Sequence, residues 1–453
     1  MSSPTSFRID SLTLSNFRCF SECQIAFEND LTVLVAENGE GKSAILQAAG
    51  IAMGSFVNFL TGTYQSRGFG HSDIHFQKVS SDEMEPALPS SYRAKGFVAG
   101  SEVEWHREIL NYSETPRSTS KGTKTLREQV MRFKESLNTS KEEVTLPLVA
   151  SYSTGRLWRE QISSKRKRFS IDQRSRLVGY ADCFSSSSPV HGFLAWYLGV
   201  MQEIGSPQFA TDLSRNLPLI NAVRNAVREV LEPSGWDEMN WSPKTFKIVV
   251  THKEFGQLPM EFMSDGVQGM IALVADIAQR CTSLNPHFKE DAARRTPGIL
   301  LIDEVDMHLH PRWQQVVINL LQNAFPQMQI IVSTHSPHVL STVNARSIRV
   351  IELQKGIGHV RPPHSETRGT ESSAVLADVM GVDATPPVEE AKMLSAYRAL
   401  VQSSNEDSID ASELRARLLE HYGPDHPVME EVKVLHRLQE FRRAKRLPPP
   451  TGE

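Results

Sequence analysis

The sequence predicts an α/β fold built around a phosphate-binding loop, with a mainly helical insertion and an all-α C-terminal extension. Residues 31–36 form a near-continuous apolar run that enters Gly39-Glu40-Gly41-Lys42-Ser43, and helix formers with Ile45, Leu46 and Ala49 on one side follow. Gly298–Ile302 reads as the most deeply buried strand and ends in Asp303-Glu304. Beyond Gly369 only helical spacing remains, punctuated by Gly381, Pro386-Pro387, Gly423 and Pro448-Pro449-Pro450.

In chain order, residues 7–14 and 23–27 alternate as strands, and 92–98 with 103–109 read as a hairpin around Ala99-Gly100-Ser101. Residues 126–140 predict a charged helix and 146–151 an apolar strand. The insertion, 154–243, carries helical segments at 191–204 and 220–231. A hairpin (246–252 with 258–263) precedes a helix from Asp265 to about Gln279. A helix at 313–323 leads to a core strand at 329–333, and strands at 348–353 and 358–361 are expected at the sheet's edge. In the tail, Asp410-Ala-Ser-Glu413 reads as a capping box. The expected domains are 1–65 with 244–365 as a discontinuous head, 66–153 as its β-rich part, 154–243 as the insertion, and 366–453 as a helical domain for oligomer or partner contacts.

Composition narrows the setting. The 453 residues include 49 Lys+Arg against 53 Asp+Glu, a net charge of −4, which excludes a uniformly basic surface but leaves room for a local patch. The 4 cysteines form no CxxC pair or zinc spacing, which suits a reducing compartment. The first ten residues lack a basic-then-apolar leader, and no run of roughly 18 apolar residues appears. A soluble cytoplasmic protein without membrane contact is expected.

The chemistry concentrates in three places. In the loop, Gly39 and Gly41 let the backbone curl so that N–H groups from Asn38 through Ala44 point at a phosphate. Lys42 would neutralise the β- and γ-phosphates and Ser43 would offer its hydroxyl to Mg²⁺. The loop departs from G-x-x-x-x-G-K-[ST] at its first position, where Ala36 stands. Asp303, at a strand's C-terminal end, suits the Mg²⁺ shell, and Glu304 suits polarisation of the attacking water. His335, in Ser333-Thr-His335-Ser at the end of another strand, can reach a γ-phosphate. A strand-to-helix turn with chance glycines, a capping acid and a structural histidine are the bland alternatives; their joint occurrence in this order makes them weaker.

That order, with Met263-Ser264-Asp265-Gly266 between loop and acids, resembles the ABC-type ATPase heads of the SMC/RecF/OLD group, as does Asp303-Glu-Val-Asp306-Met-His-Leu-His310-Pro311. The resemblance covers about residues 5–65 and 244–365. It implies ATP and Mg²⁺ as ligands and ATP hydrolysis as the reaction. Ser264 and Gly266 would be a signature that binds the γ-phosphate held by a second copy, so a homodimer or higher oligomer through the heads is implied. Related heads also carry a basic residue where Arg18 stands; a surface arginine at a strand end is the equal alternative. The glutamine that supports Mg²⁺ in such heads has three candidates, Gln65, Gln77 and Gln161. Two further segments, 146–158 (LPLVASYSTGRLW) and 367–382 (TRGTESSAVLADVMGV), resemble the PtuA family, the ATPases of Septu anti-phage systems and certain retrons. That resemblance implies regulation of a separate HNH endonuclease of the PtuB kind.

Other readings stay open. Lys165, Arg166, Lys167 and Arg168, with Arg156, Arg159, Arg174 and Arg176 nearby, could contact DNA or form a solvated loop, and Trp158 and Phe169 could add stacking. A RecF-like repair ATPase acting directly on DNA is the alternative function, and a non-hydrolysing scaffold is a third. His308, His310, His335 and His338 lack the company a zinc site needs. Glu406, Asp407, Asp410 and Glu413 sit at a loop and a helix start, where they read as caps, so a TOPRIM nuclease domain is disfavoured.

Overall fold

The computed structural model describes residues 7–63, 68–80, 83–113, 118–119, 121–139, 144–154, 175–184, 193, 196–197, 199–201, 213–242, 244–245, 247–383, 385–403 and 408–446. The N-terminal part contributes β1 (Phe7–Phe17), β2 (Phe20–Ala26), β3 (Leu31–Val35), β4 (Phe76–Lys78), β5 (Met84–Pro86), β6 (Ser90–Val98), β7 (Ser101–Ile109) and β8 (Leu148–Tyr152). Further on come β9 (Trp236–Ser242), β10 (Lys247–His252), β11 (Gly256–Pro259), β12 (Gly298–Ile302), β13 (Met328–Ser333), β14 (Ile348–Gln354) and β15 (Ile357–Arg361). Ten of these form one mixed sheet in the order β7-β6-β1-β2-β15-β14-β3-β13-β12-β8.

The two halves of that sheet follow from their sequences. In β3, β12 and β13 every residue is buried, and these strands run parallel with β8 and β14, as strands covered on both faces do. β1, β2, β6 and β7 pair antiparallel and largely alternate buried with exposed positions. Helix Lys42–Thr61 is the core's central rod. Phe56 stacks on Phe7 with centroids 4.1 Å apart, and Trp105 Nε1 donates to Ala52 O at 3.1 Å. Among the described residues it is the one helix long and apolar enough to cross a bilayer, and most of it is buried in this core.

Register places the chemistry. Ile302 sits opposite Tyr152 on one side and Val332 on the other. A one-residue slip would drive the Asp303 carboxylate into a fully apolar layer, so the burial of Ile299, Leu300, Leu301 and Ile302 locks it at the sheet's C-terminal edge. Gln329 stitches the opposite edge: its Oε1 accepts from Ile9 N at 3.0 Å and its Nε2 donates to Ile9 O at 2.7 Å, beside the irregularity between Ile9 and Ser11.

Several expectations change. β14 and β15 are interior strands, because β15 also pairs parallel with β2, and among the described residues the outer strands are β7 and β8. Across the pair Arg361 donates to Glu352 at 2.6 Å, while Arg349 donates to Glu28 beside β2 at 2.6 Å. The expected 313–323 helix is two pieces, Pro311–Gln314 and Val317–Ala324. Residues 236–242, assigned to the helical insertion, form β9 of a three-stranded sheet with β10 and β11; its Asp237, Glu238 and Asn240 hide a strand from propensity. The cap of helix Ile409–Tyr422 is Ser408, whose Oγ accepts from Ala411 N at 3.2 Å, while Asp410 lies in the first turn.

The chain divides into two compact units at Met380/Gly381. Helix Ser372–Met380, which the sequence reading placed in the tail domain, therefore belongs to the first unit, where Val375 and Val379 join the main core. The second unit is helical, with Tyr397, Val401, Ala411, Leu418, Met429 and Val432 as its own core. Tyr397 Oη and His436 Nε2 are 2.8 Å apart within it.

Candidate functional site

After β3 the backbone turns through Gly39 (φ 88°) and Gly41 (φ 97°), and Gly41 caps helix Lys42–Thr61. The two glycines differ in kind. A Cβ on Gly39 would meet nothing, whereas one on Gly41 would lie 2.2 Å from Phe20 Cζ and 2.8 Å from Cys19 Sγ. Ala36 has no left-handed backbone, so the first loop position needs no glycine here. Its carbonyl accepts from Lys42 Nζ at 2.7 Å and that of Glu37 accepts at 3.0 Å, so the ammonium folds over the loop. The positive end of the helix dipole at Gly41 suits this turn to an anion.

At the end of β12, Asp303 N–H donates to Tyr152 O at 2.8 Å, and Glu304 takes a left-handed backbone, φ 49°. A hydroxyl from β13 organises both acids: Ser333 Oγ donates to Asp303 Oδ1 at 2.5 Å and accepts from Glu304 N at 2.8 Å. One residue on, Thr334 Oγ1 donates to Asp306 Oδ1 at 2.5 Å. Neither hydroxyl was singled out from sequence, although both flank His335. Their signal is a polar residue ending a fully buried strand.

Electrostatics tie these groups together. Burial lowers the Lys42 pKa, while the carboxylates of Asp303, Glu40, Glu304 and Asp306 pull it back up. Burial also lowers the His335 pKa, the Lys42 charge adds to that, and Asp306, Glu304 and Asp303 oppose it. Lys42, Asp303, Glu304, Asp306 and His335 therefore share one field at the C-terminal ends of β3, β12 and β13, where open α/β sheets bind ligands. The Ser43 hydroxyl and the Asp303 carboxylate are hard oxygen donors of the type Mg²⁺ takes. Among the described residues no group of three His, Cys, Asp or Glu could hold a metal alone, so nucleotide oxygens and water would have to complete such an ion's shell.

Ser264 is exposed and caps helix Asp265–Leu284 without a side-chain capping bond. Gly266 is buried against the segment that follows Glu304: a Cβ there would sit 2.4 Å from His308 O. Arg18 lies in the β1–β2 turn, and its Nε donates to the buried carboxylate of Asp73 at 3.0 Å. Its neighbours Cys19 and Phe20 are what line Gly41. Gln77 is exposed on β4. Gln65, Gln161, Arg156, Trp158, Arg159, Arg174, Phe169 and the run Lys165, Arg166, Lys167, Arg168 lie outside the described residues. Within 367–382, Thr367 Oγ1 donates to Val343 O at 2.6 Å, and Ser372 Oγ lies 2.8 Å from His338 Nδ1.

The chain is similar in sequence to several known proteins. Residues 11–183 match a family model described as "AAA domain", and residues 208–341 one described as "AAA domain, putative AbiEii toxin, Type IV TA system". The chain is 26% identical to "Retron Vc95 probable ATPase" of Vibrio cholerae serotype O1 biovar El Tor, over 92% of this chain and 87% of that one. It is 40% identical to "Retron Ec83 probable ATPase" of Escherichia coli over 38% of this chain and 31% of that one. With "Septu protein PtuA" of Bacillus thuringiensis it shares 26% identity over 42% of this chain and 48% of that one. Among solved structures, the SMC head domain of Thermotoga maritima is 14% identical, covering 79% of this chain and 100% of its own, with a TM-score of 0.42. Two stretches of the chain thus match AAA-domain models, and over most of its length the chain is similar to a retron ATPase.

Proposed function

We propose that this chain, a relative of the retron and Septu ATPases, binds ATP with Mg²⁺ and hydrolyses it as the regulatory component of an anti-phage system. The meeting of Lys42, Asp303, Glu304 and His335 beyond the C-terminal ends of the adjoining parallel strands β3, β12 and β13 carries the reading. Backbone N–H groups from Asn38 through Ala44 hold the phosphates, and Lys42 leaves its loop carbonyls to neutralise them. Ser43 and Asp303 would hold Mg²⁺, which offsets phosphate charge when bound. Glu304 takes the proton of the attacking water. His335, held neutral by burial and Lys42, donates to the γ-phosphate and registers its loss.

The exposed Ser264 and the helix turn at Gly266 face the nucleotide of a second copy, which makes the working unit a homodimer or larger oligomer. The nuclease is a separate HNH protein of the PtuB kind, and the setting is the cytoplasm. Assaying ATP turnover of wild type, Lys42→Ala and Glu304→Gln tests the site. Lys42→Ala should lose binding; Glu304→Gln should keep binding, lose turnover and accumulate dimer. Normal turnover in Glu304→Gln would remove it as the base. Co-purification with a small HNH protein encoded beside this chain tests the partner, whereas tight partner-free binding to DNA ends would favour direct action on DNA.

A further inference from the structure

A buried polar chain beside Asp303 has no part in nucleotide contact as described. Tyr152 ends β8, and its carbonyl receives the Asp303 N–H at 2.8 Å. Its hydroxyl points the other way and donates to Asp276 Oδ2 at 2.7 Å, on helix Asp265–Leu284. Arg280 Nε donates to the same oxygen at 2.8 Å, and its NH1 reaches the carbonyls of Gly179 at 3.0 Å and Ala181 at 2.7 Å. Ser151 N adds a bond to Cys183 O at 2.8 Å.

Tyr152 and Asp276 are 6% and 2% exposed, so each of these bonds replaces water that the groups have given up. An ionic set of this kind is a weak source of stability compared with apolar packing. What it supplies is directional: a hydroxyl between a carboxylate and its ring has one good geometry, and the elements it joins keep one register. Burial and the Asp276 charge keep the Tyr152 hydroxyl protonated, so it remains a donor.

We propose that Tyr152 and Asp276 are positioning residues for ATP hydrolysis, tying the Asp303–Glu304 strand end to the helix that Ser264 caps and whose first turn carries Gly266. This rests on the ATPase reading above. The tie joins the two halves of different sites within one copy: the acids that serve its own nucleotide and the signature it offers to another. Removing it leaves phosphate binding intact and loosens the alignment on which the chemical step depends.

Tyr152→Phe deletes one hydroxyl and keeps both the ring and the Asp276–Arg280 pair. It should lower kcat at least tenfold, with KM and the equilibrium affinity for a non-hydrolysable ATP analogue changed less than twofold. Arg176→Gln is the control. Arg176 bonds Leu284 O and Val144 O at 2.7 Å each, at the far end of the same helix. That variant should melt earlier yet keep its kcat per folded molecule. Wild-type kcat in Tyr152→Phe, or equal loss of kcat and stability in both variants, overturns the tie. A wild-type chain without Lys42-dependent turnover overturns the ATPase reading and the tie together, which separates the two failures.

Discussion

The Ser333 hydroxyl joins Asp303 and Glu304: it donates to the carboxylate of the first at 2.5 Å and accepts from the backbone N–H of the second at 2.8 Å. One buried oxygen thus fixes the direction of the first acid and the left-handed turn that presents the next. Ser333→Ala removes a charge-assisted bond of about 1.5–3 kcal/mol. Turnover should fall about 10- to 100-fold, the range such a loss implies, with ATP affinity changed far less. Steady-state kinetics beside a binding titration decide this, and an unchanged kcat refutes it.

The two loop glycines should separate. Gly39→Ala meets only the left-handed backbone, at a cost of about 1–2 kcal/mol. Gly41→Ala adds a Cβ 2.2 Å from Phe20 Cζ and must displace that ring or the loop. Nucleotide binding should survive the first change in weakened form and vanish in the second. Equal binding by both variants would show that the Phe20 contact does not shape the loop.

Ala36→Gly restores the common phosphate-loop pattern, yet the backbone there is not left-handed. ATP affinity should stay within about twofold, since no strain is relieved. A tenfold gain measured by titration would show that the alanine restrains the loop.

Ser264 and Gly266 need different variants. Gly266→Ala places its methyl 2.4 Å from His308 O, so its damage is intrachain. Ser264→Ala deletes an exposed hydroxyl that makes no capping bond, and its melting temperature should stay unchanged. In a Glu304→Gln background it should nevertheless reduce ATP-dependent dimer, read by light scattering. Full dimer formation would count against a shared site.

The pKa of His335 is lowered from 6.5, so the unfolded chain binds its proton at a higher pH than the folded one. The stability this contributes is complete above the unfolded value and is lost as pH falls toward the folded one. Without nucleotide, His335→Asn should show a shallower loss of stability below pH 6.5 than wild type, read from denaturant midpoints. Parallel curves would mean that His335 is not depressed.

Legibility tracked the physical range of each signal. The turn at Gly39 and Gly41 and the strand ends at Asp303 and before His335 could be read because strand, turn and helix starts leave local patterns at fixed spacing. Ser333 could not, since a serine ending a strand means nothing until the neighbouring strand's register brings an acid beside it. The edge assignment of β14 and β15 failed for the same reason. Alternating polarity shows that one face is open, and it is silent on whether a third strand pairs with the backbone.

By itself the sequence determined the element types around the candidate site, the helical tail and which residues end the buried strands, because propensity, burial pattern and turn chemistry act over a few residues. Only the tertiary structure decided that Lys42, Asp303, Glu304, Asp306 and His335 share one field, that Tyr152 bridges Asp303 to Asp276, and that Ala36 does not need to be glycine. Those facts depend on strand order and register. Both are set by the burial of whole faces rather than by any local run of residues.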